Sequence, residues 1–141
     1  MICVDSSVAA KWLLRERHSP EARALLRTQL EQRQLILAPS FLPIEVTNIL
    51  RQRVRAGTLT PQQAYRRLDR FLSLPLSIVA VESLYRRALT LAVDHNLPAV
   101  YDPMYLAVAE SQVCPLWTAD EKLIRSVGDR LPFIRWIGDY Q

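Results

Sequence analysis

A parallel α/β fold, with helices covering both faces of the sheet, is predicted by three observations. Short apolar runs of strand length recur along the chain and alternate with longer stretches of helical pattern. The runs are apolar throughout, as strands buried on both faces are. Helix start and stop residues bracket the stretches between them. At 141 residues, half of them hydrophobic, the chain has the size and core of one domain. No repeat, linker or low-complexity segment divides it, so one domain over 1–141 is expected.

The elements follow in order. "MICV" opens the chain as a buried strand, and "SSVAAKWLLRE" follows as a helix. "SPEARALLRTQLEQRQ" is a second helix, with Ser19 expected as its cap and Pro20 in its first turn. "LILA" is the second strand. "PSFLPIEVTNILRQRVRAG" is a helix closed by Gly57. "TPQQAYRRLDRFLSL" begins with Thr60, Pro61 and Gln63, close to a capping box. "LSIVAV" is the third strand, "ESLYRRALTLAVDHN" and "PMYLAVAESQ" are helices, "PLWTA" is the fourth strand and "FIRWI" the fifth. Asp102 stands just before Pro103, which predicts that Asp102 caps the helix that follows. Trp12, Leu13, Phe41, Leu42, Phe71 and Leu72 are expected mostly in the core, some of them lining a groove between the early helices.

Composition narrows the function. The net charge is +4 and the pI about 9.4, a bias toward anionic partners such as nucleic acid. Lys11 and Lys122 are the only lysines; the remaining positive charge is arginine, whose planar fork suits phosphate. Cys3 and Cys114 are far apart, flanked by apolar residues and outside any CxxC pair, so buried free thiols are expected. His18 and His95 stand alone, which removes a zinc site. The N-terminal stretch lacks a basic start and is interrupted by Asp5, unlike a signal peptide, and no apolar run is long enough to span a bilayer. A cytoplasmic protein with no membrane partner is expected.

Four acids sit at comparable places: Asp5 after the first strand, Glu45 in the first turns of the helix after the second strand, Asp102 before a helix, and Asp120 after the fourth strand. Each is explained singly by capping or by the helix dipole. Ligands of open α/β sheets bind beyond the carboxyl ends of the strands, where loops bring such residues together. Two carboxylates about 4 Å apart repel by roughly 4 kcal/mol at an effective dielectric of about 20. A cation reverses that sign, and an all-oxygen set favours Mg²⁺ or Mn²⁺. Such an ion activates water and stabilises charge on a phosphodiester. Glu121 adjoins Asp120 but points away along its helix, and stays outside the set.

The blocks "VDSSVAAKWLL", "PSFLPIEVTNILRQRVRAG", "VYDPMYLAVAE" and "LWTADEKL" resemble, in order and over nearly the whole chain, the four acidic blocks of PIN-domain ribonucleases, most of all the VapC toxins of bacterial toxin–antitoxin pairs. The resemblance implies a three-layer α/β/α sandwich with a mostly parallel five-stranded sheet in the order 3-2-1-4-5. It implies a metal-dependent endoribonuclease in which Asp5, Asp102 and Asp120 hold Mg²⁺ or Mn²⁺ and Glu45 completes the site or orients the water. Ser6 and Thr118 match the family's hydroxyl positions, and Asn48 a polar position one turn after the glutamate. Pro103 replaces the small residue often found after the third acid. The family also implies a cognate antitoxin seated in the groove and a homodimer.

The arginines of "RQRVR" (Arg51, Arg53, Arg55) and Arg66, Arg67 and Arg70 on the next helix are candidates to guide RNA, with Lys11 and Arg15 nearer the acids. Solvation and helix-end charge explain the same residues without RNA. Two other readings remain: a non-catalytic RNA- or partner-binding module that needs no divalent ion, and a receiver-type phosphoryl-transfer protein, which "SS" after Asp5 opposes because no second aspartate follows.

Overall fold

The computed structural model describes residues 1–141. Five strands, β1 (Ile2–Val4), β2 (Ile36–Pro39), β3 (Leu76–Val79), β4 (Leu116–Thr118) and β5 (Ile134–Trp136), form one sheet in the order β3-β2-β1-β4-β5. Every pairing is parallel. The sheet is therefore wholly parallel, and the strand order implied by the family resemblance is the observed one.

Seven α-helices make the crossovers: α1 (Ser6–Leu13), α2 (Ser19–Glu31), α3 (Leu42–Arg55), α4 (Pro61–Leu72), α5 (Ser83–Asp94), α6 (Tyr101–Ser111) and α7 (Glu121–Val127). Right-handed connections put α1 to α4, which lead outward from β1 to β3, on one face, and α5 to α7 on the other. β1 and the middle of α6 are buried throughout, from Ile2 to Val4 and from Pro103 to Ala109. That is why "MYLAVAE" is almost wholly apolar: α6 lies against β1, β2 and β4 at the centre of the sheet.

Local chemistry sets most boundaries. Thr60 and Gln63 form the capping box of α4. Gly57 follows the end of α3 with φ 76°, a conformation that a side chain would strain. Ser19 is not a cap: α2 is preceded by His18, and the buried Ser19 hydroxyl donates to the Leu14 carbonyl and accepts from the Glu16 N–H, closing the turn between α1 and α2. Leu72 also departs from expectation, being exposed at the end of α4, whereas Trp12, Leu13, Leu42 and Phe71 are in the core and Phe41 packs at its margin. Cys3 and Cys114 are buried and free. No helix is long and apolar enough to cross a membrane.

Candidate active site

The strand order reverses between β1 and β4, and their register pairs Cys3 with Leu116 and Val4 with Trp117. One step further, at the carboxyl edge, Asp5 meets Thr118. Asp5 is the N-cap of α1: its Oδ1 accepts from the Val8 N–H at 3.0 Å and the Ser7 hydroxyl at 2.5 Å, and its Oδ2 from the Thr118 hydroxyl at 2.5 Å. Thr118 Oγ1 in turn accepts from the Asp120 N–H at 2.9 Å, and Ser7 Oγ from the Ala119 N–H at 2.8 Å. Two hydroxyls thus lock the β1–α1 junction to the β4–α7 junction. Asp120 caps α7 through Oδ1, which accepts from the N–H groups of Lys122 and Leu123 at 2.7 and 3.2 Å. Its Oδ2 has no protein donor.

Asp102 is not a cap. Helix α6 begins one residue earlier, at Tyr101, after Val100, and no side chain caps it. Asp102 therefore lies inside the first turn, where the dipole favours a negative charge, and neither carboxylate oxygen is engaged by the protein. Pro103 follows it in the same turn, where its missing N–H leaves no hydrogen bond unmade. One turn on, Tyr105 is almost fully buried, and its hydroxyl donates to Glu45 Oε2. Phe41 fixes both tyrosines of this turn, edge-on to Tyr101 at 5.8 Å and to Tyr105 at 5.4 Å. This contact joins the start of α3 to the start of α6, and so Glu45 to Asp102.

The electrostatics tie the acids together. Burial pushes the Asp5 carboxyl up to about 6, against the pull of the Ser7, Thr118 and Val8 hydrogen bonds, and the negative charge of Asp102 adds to the rise. Asp102 is raised by loss of solvent and then by Asp120 and Glu45. Tyr105 is raised by burial and by its bond to Glu45, so it stays a neutral donor. None of the ion pairs in the molecule includes Asp5, Glu45, Asp102 or Asp120.

The donor set fits a hard divalent cation in kind: oxygen only, with Glu45 Oε1, both oxygens of Asp102 and Asp120 Oδ2 free of protein donors. The side chains are not drawn into a closed cage, since no three of them stand at ligating distance from a common point.

The other candidates divide. Asn48 is exposed one turn after Glu45, and Ser6 is half-buried beside Asp5; neither makes a side-chain hydrogen bond within the protein. The hydroxyl that holds Asp5 from this turn is that of Ser7. Lys11 pairs with Glu16 at 3.2 Å. Arg51 is exposed on α3, beside a groove toward α4, and Arg15 lines a separate cavity at the end of α1. Sequence reasoning missed Ser7 and Tyr105. Tyr105 carried a signal: it stands three residues after Asp102, on one helical face, as the single polar-tipped residue of a buried stretch.

Fold and site together define an α/β protein with an acidic centre at the switch point of a parallel sheet. Comparison with known proteins extends this. The family described as PIN domain matches residues 2–129. The protein named Ribonuclease VapC12 in two strains of Mycobacterium tuberculosis is 30% identical over 128 residues, covering 91% of this chain and 93% of that protein. The crystal structure of PAE2754 from Pyrobaculum aerophilum superposes with a TM-score of 0.70 at 23% identity, over 97% of this chain and 90% of that one, a likeness of fold. The chain belongs to the PIN-domain family, in its VapC-type branch.

Proposed function

We propose that this protein is a divalent-metal-dependent endoribonuclease and the toxin of a type II toxin–antitoxin pair. One observation carries the reading: four carboxylates lie at one sheet edge with none of them in an ion pair, and burial first, then the neighbouring acids, raises Asp102 and Asp5. The relative named a ribonuclease supports RNA as the substrate. In this reading Asp5, Asp102 and Asp120 hold Mg²⁺ or Mn²⁺. When bound, the ion supplies an activated water and stabilises charge on the phosphodiester. Tyr105 fixes one oxygen of Glu45, and the other is free to orient the attacking water and take its proton. Ser7 and the Val8 N–H occupy Asp5 Oδ1, and Thr118 holds Oδ2 while leaving that oxygen a further lone pair. Ser6 and Asn48, without protein partners, contact water or phosphate at the rim. Lys11, Arg15 and Arg51 are the cationic side chains assigned to RNA.

The partners follow from the same reading: a cytoplasmic protein held inactive by a cognate antitoxin, and a homodimer. The groove between α3 and α4, walled by Leu50, Val54, Ala64, Tyr65 and Leu68, supports an apolar partner segment. Tyr85, Leu89 and Val93 form an exposed stripe at every fourth residue of α5, which supports contact with a second copy.

The test uses purified, partner-free protein on a mixed pool of cellular RNA with Mg²⁺, Mn²⁺ or EDTA, beside Asp102→Asn. Cleavage that needs the metal and disappears in the variant is the expected result. Folded protein that cuts nothing in either metal overturns the reading in favour of an RNA- or partner-binding module.

A further inference from the structure

A cavity of about 590 Å³ opens where the end of α1 meets α2 and α4. Arg15, Arg23, Arg66, Arg67 and Arg70 line it, and no acid does. None of the five has a carboxylate within ion-pair distance, although arginines elsewhere do: Arg53 pairs with Glu16 and Arg87 with Glu110. Part of this charge has a structural use. Arg23 donates to the carbonyls of Trp12 and Leu14, at 3.4 and 2.8 Å, and Arg67 to that of Leu13, so two arginines close the C-terminal end of α1. The other three do not share it. Arg15 and Arg70 donate to nothing, and Arg66 makes only a 3.4 Å contact with the Gln62 carbonyl of its own helix. Clustered like charges with unfilled forks are stabilised by an anion that accepts bidentate hydrogen bonds, and phosphate is such an anion.

The position of the cavity selects the source of the phosphate. Asp5 caps the first turn of α1, and the cavity lies at its other end. Eight helical residues span about 12 Å, a distance that a few nucleotides of backbone cover. The floor does not offer a stacking surface: Trp12 is buried, with its indole N–H donated to the Ala22 carbonyl at 3.0 Å. Contact is therefore with the backbone of the strand and not its bases.

We propose that this cavity is a second phosphate subsite for RNA, formed by the free forks of Arg15, Arg66 and Arg70 on a frame fixed by Arg23 and Arg67, a few nucleotides from the bond held at the carboxylates. The inference rests on the ribonuclease reading and narrows its cationic contacts: of Lys11, Arg15 and Arg51, only Arg15 belongs to the subsite.

The experiment measures anisotropy of a fluorescent single-stranded RNA of about a dozen nucleotides, across a salt series, with the full chain carrying Asp102→Asn to prevent cleavage. Replacing Arg15, Arg66 and Arg70 together by Ala is expected to weaken binding roughly tenfold or more. It is also expected to make the slope of log affinity against log salt shallower by about 2, near 0.7 for each lost contact. Arg86→Ala with Arg130→Ala, elsewhere on the surface, should leave both unchanged. A set of Arg→Lys replacements at the three positions keeps the charge and removes the forks, so it should keep the slope and weaken affinity several-fold; if the alanine set does not fold, unchanged affinity in the lysine set overturns the proposal. Unchanged affinity and slope in the triple variant overturn the proposal. So does loss of binding to a polyglutamate probe with RNA binding intact, which assigns the cavity to an acidic protein segment. Cleavage by the unaltered protein separates the two claims: arginine-dependent RNA binding without metal-dependent cutting sinks the nuclease reading alone, and cutting with arginine-independent binding sinks the subsite alone.

Discussion

Helix α6 carries an acid near each end, and the two are treated oppositely. Glu110, in the last turn, is gripped by Arg87 in two hydrogen bonds of 2.5 and 2.7 Å, which hold its carboxyl below the ordinary range. Asp102, in the first turn, has no donor, and its carboxyl is raised by burial and by Asp120 and Glu45. The helix dipole does not explain the contrast, because it favours the acid at the first turn and disfavours the one at the last. The partner decides. Glu110 is given an arginine; Asp5, Glu45 and Asp120 beside Asp102 at the carboxyl edge are given hydroxyls, a tyrosine and backbone N–H groups but no counter-charge. This uncompensated acid among acids is the feature on which the metal site proposed above rests.

The sharpest way to break this comparison is to neutralise each end of α6 in turn. Asp102→Asn is expected to lower RNA cleavage by roughly 10²–10³-fold or more, the scale of losing a group that stabilises charge in the transition state. Glu110→Gln should stay within about twofold of the unaltered protein in the same gel assay. Equal losses would mean that the difference between the two acids has no functional content.

The next effect is on stability, and its sign opposes that on activity. The folded Asp5 carboxyl lies at about 6, above its ordinary 3.8. The folded state therefore binds this proton more tightly than the unfolded one. The stabilisation is complete below the unfolded value, falls away as pH rises through the folded one, and leaves a constant penalty above it. Asp5→Asn should thus stabilise the metal-free protein at pH 7 by about 1–3 kcal/mol, since each tenfold change in proton affinity is worth about 1.4 kcal/mol. Thermal unfolding across pH checks it: the variant's advantage should grow between about pH 4 and 6 and then level off. A variant less stable than the parent at neutral pH would show that the three hydrogen bonds to Asp5 outweigh its buried charge.

The smallest effect belongs to the compensated acid. Arg87 and Glu110 are both at least a third exposed, so solvent screens their pair, and Arg87→Ala should cost only about 0.5–1 kcal/mol in urea unfolding. Loss of several kcal/mol would identify the pair as a main fastening of α5 to α6.

Much of this was legible in the sequence for a physical reason. Strands buried on both faces must be apolar throughout, so "MICV", "LILA" and "PLWTA" declared both themselves and a parallel sheet. Thr60 with Gln63, and Gly57 after α3, wrote their helix boundaries in short-range chemistry. The four acids were visible because each follows a strand or opens a helix. The choices that tertiary contacts make were not visible. Ser6 and Ser7 are equivalent as text, and only the approach of β4 selects Ser7, whose oxygen meets the Ala119 N–H. Asp102 before Pro103 reads as a cap, but the helix starts at Tyr101, where Phe41 packs against it, and the aspartate is left free inside the turn. Lys11 looked available until Glu16, five residues on, folded back to meet it. Arg23 was unremarkable in its own helix and acquires meaning only from the carbonyls at the end of α1.

The measurement that tests the central claim most directly is Mn²⁺ binding by the partner-free protein, followed by the paramagnetic resonance signal of free Mn²⁺ as protein is added. The unaltered chain and Glu110→Gln should remove Mn²⁺ from solution equally well, and Asp102→Asn at least tenfold more weakly. If Asp102→Asn takes up the ion as well as the other two, the free carboxylates at the sheet edge are not a metal centre.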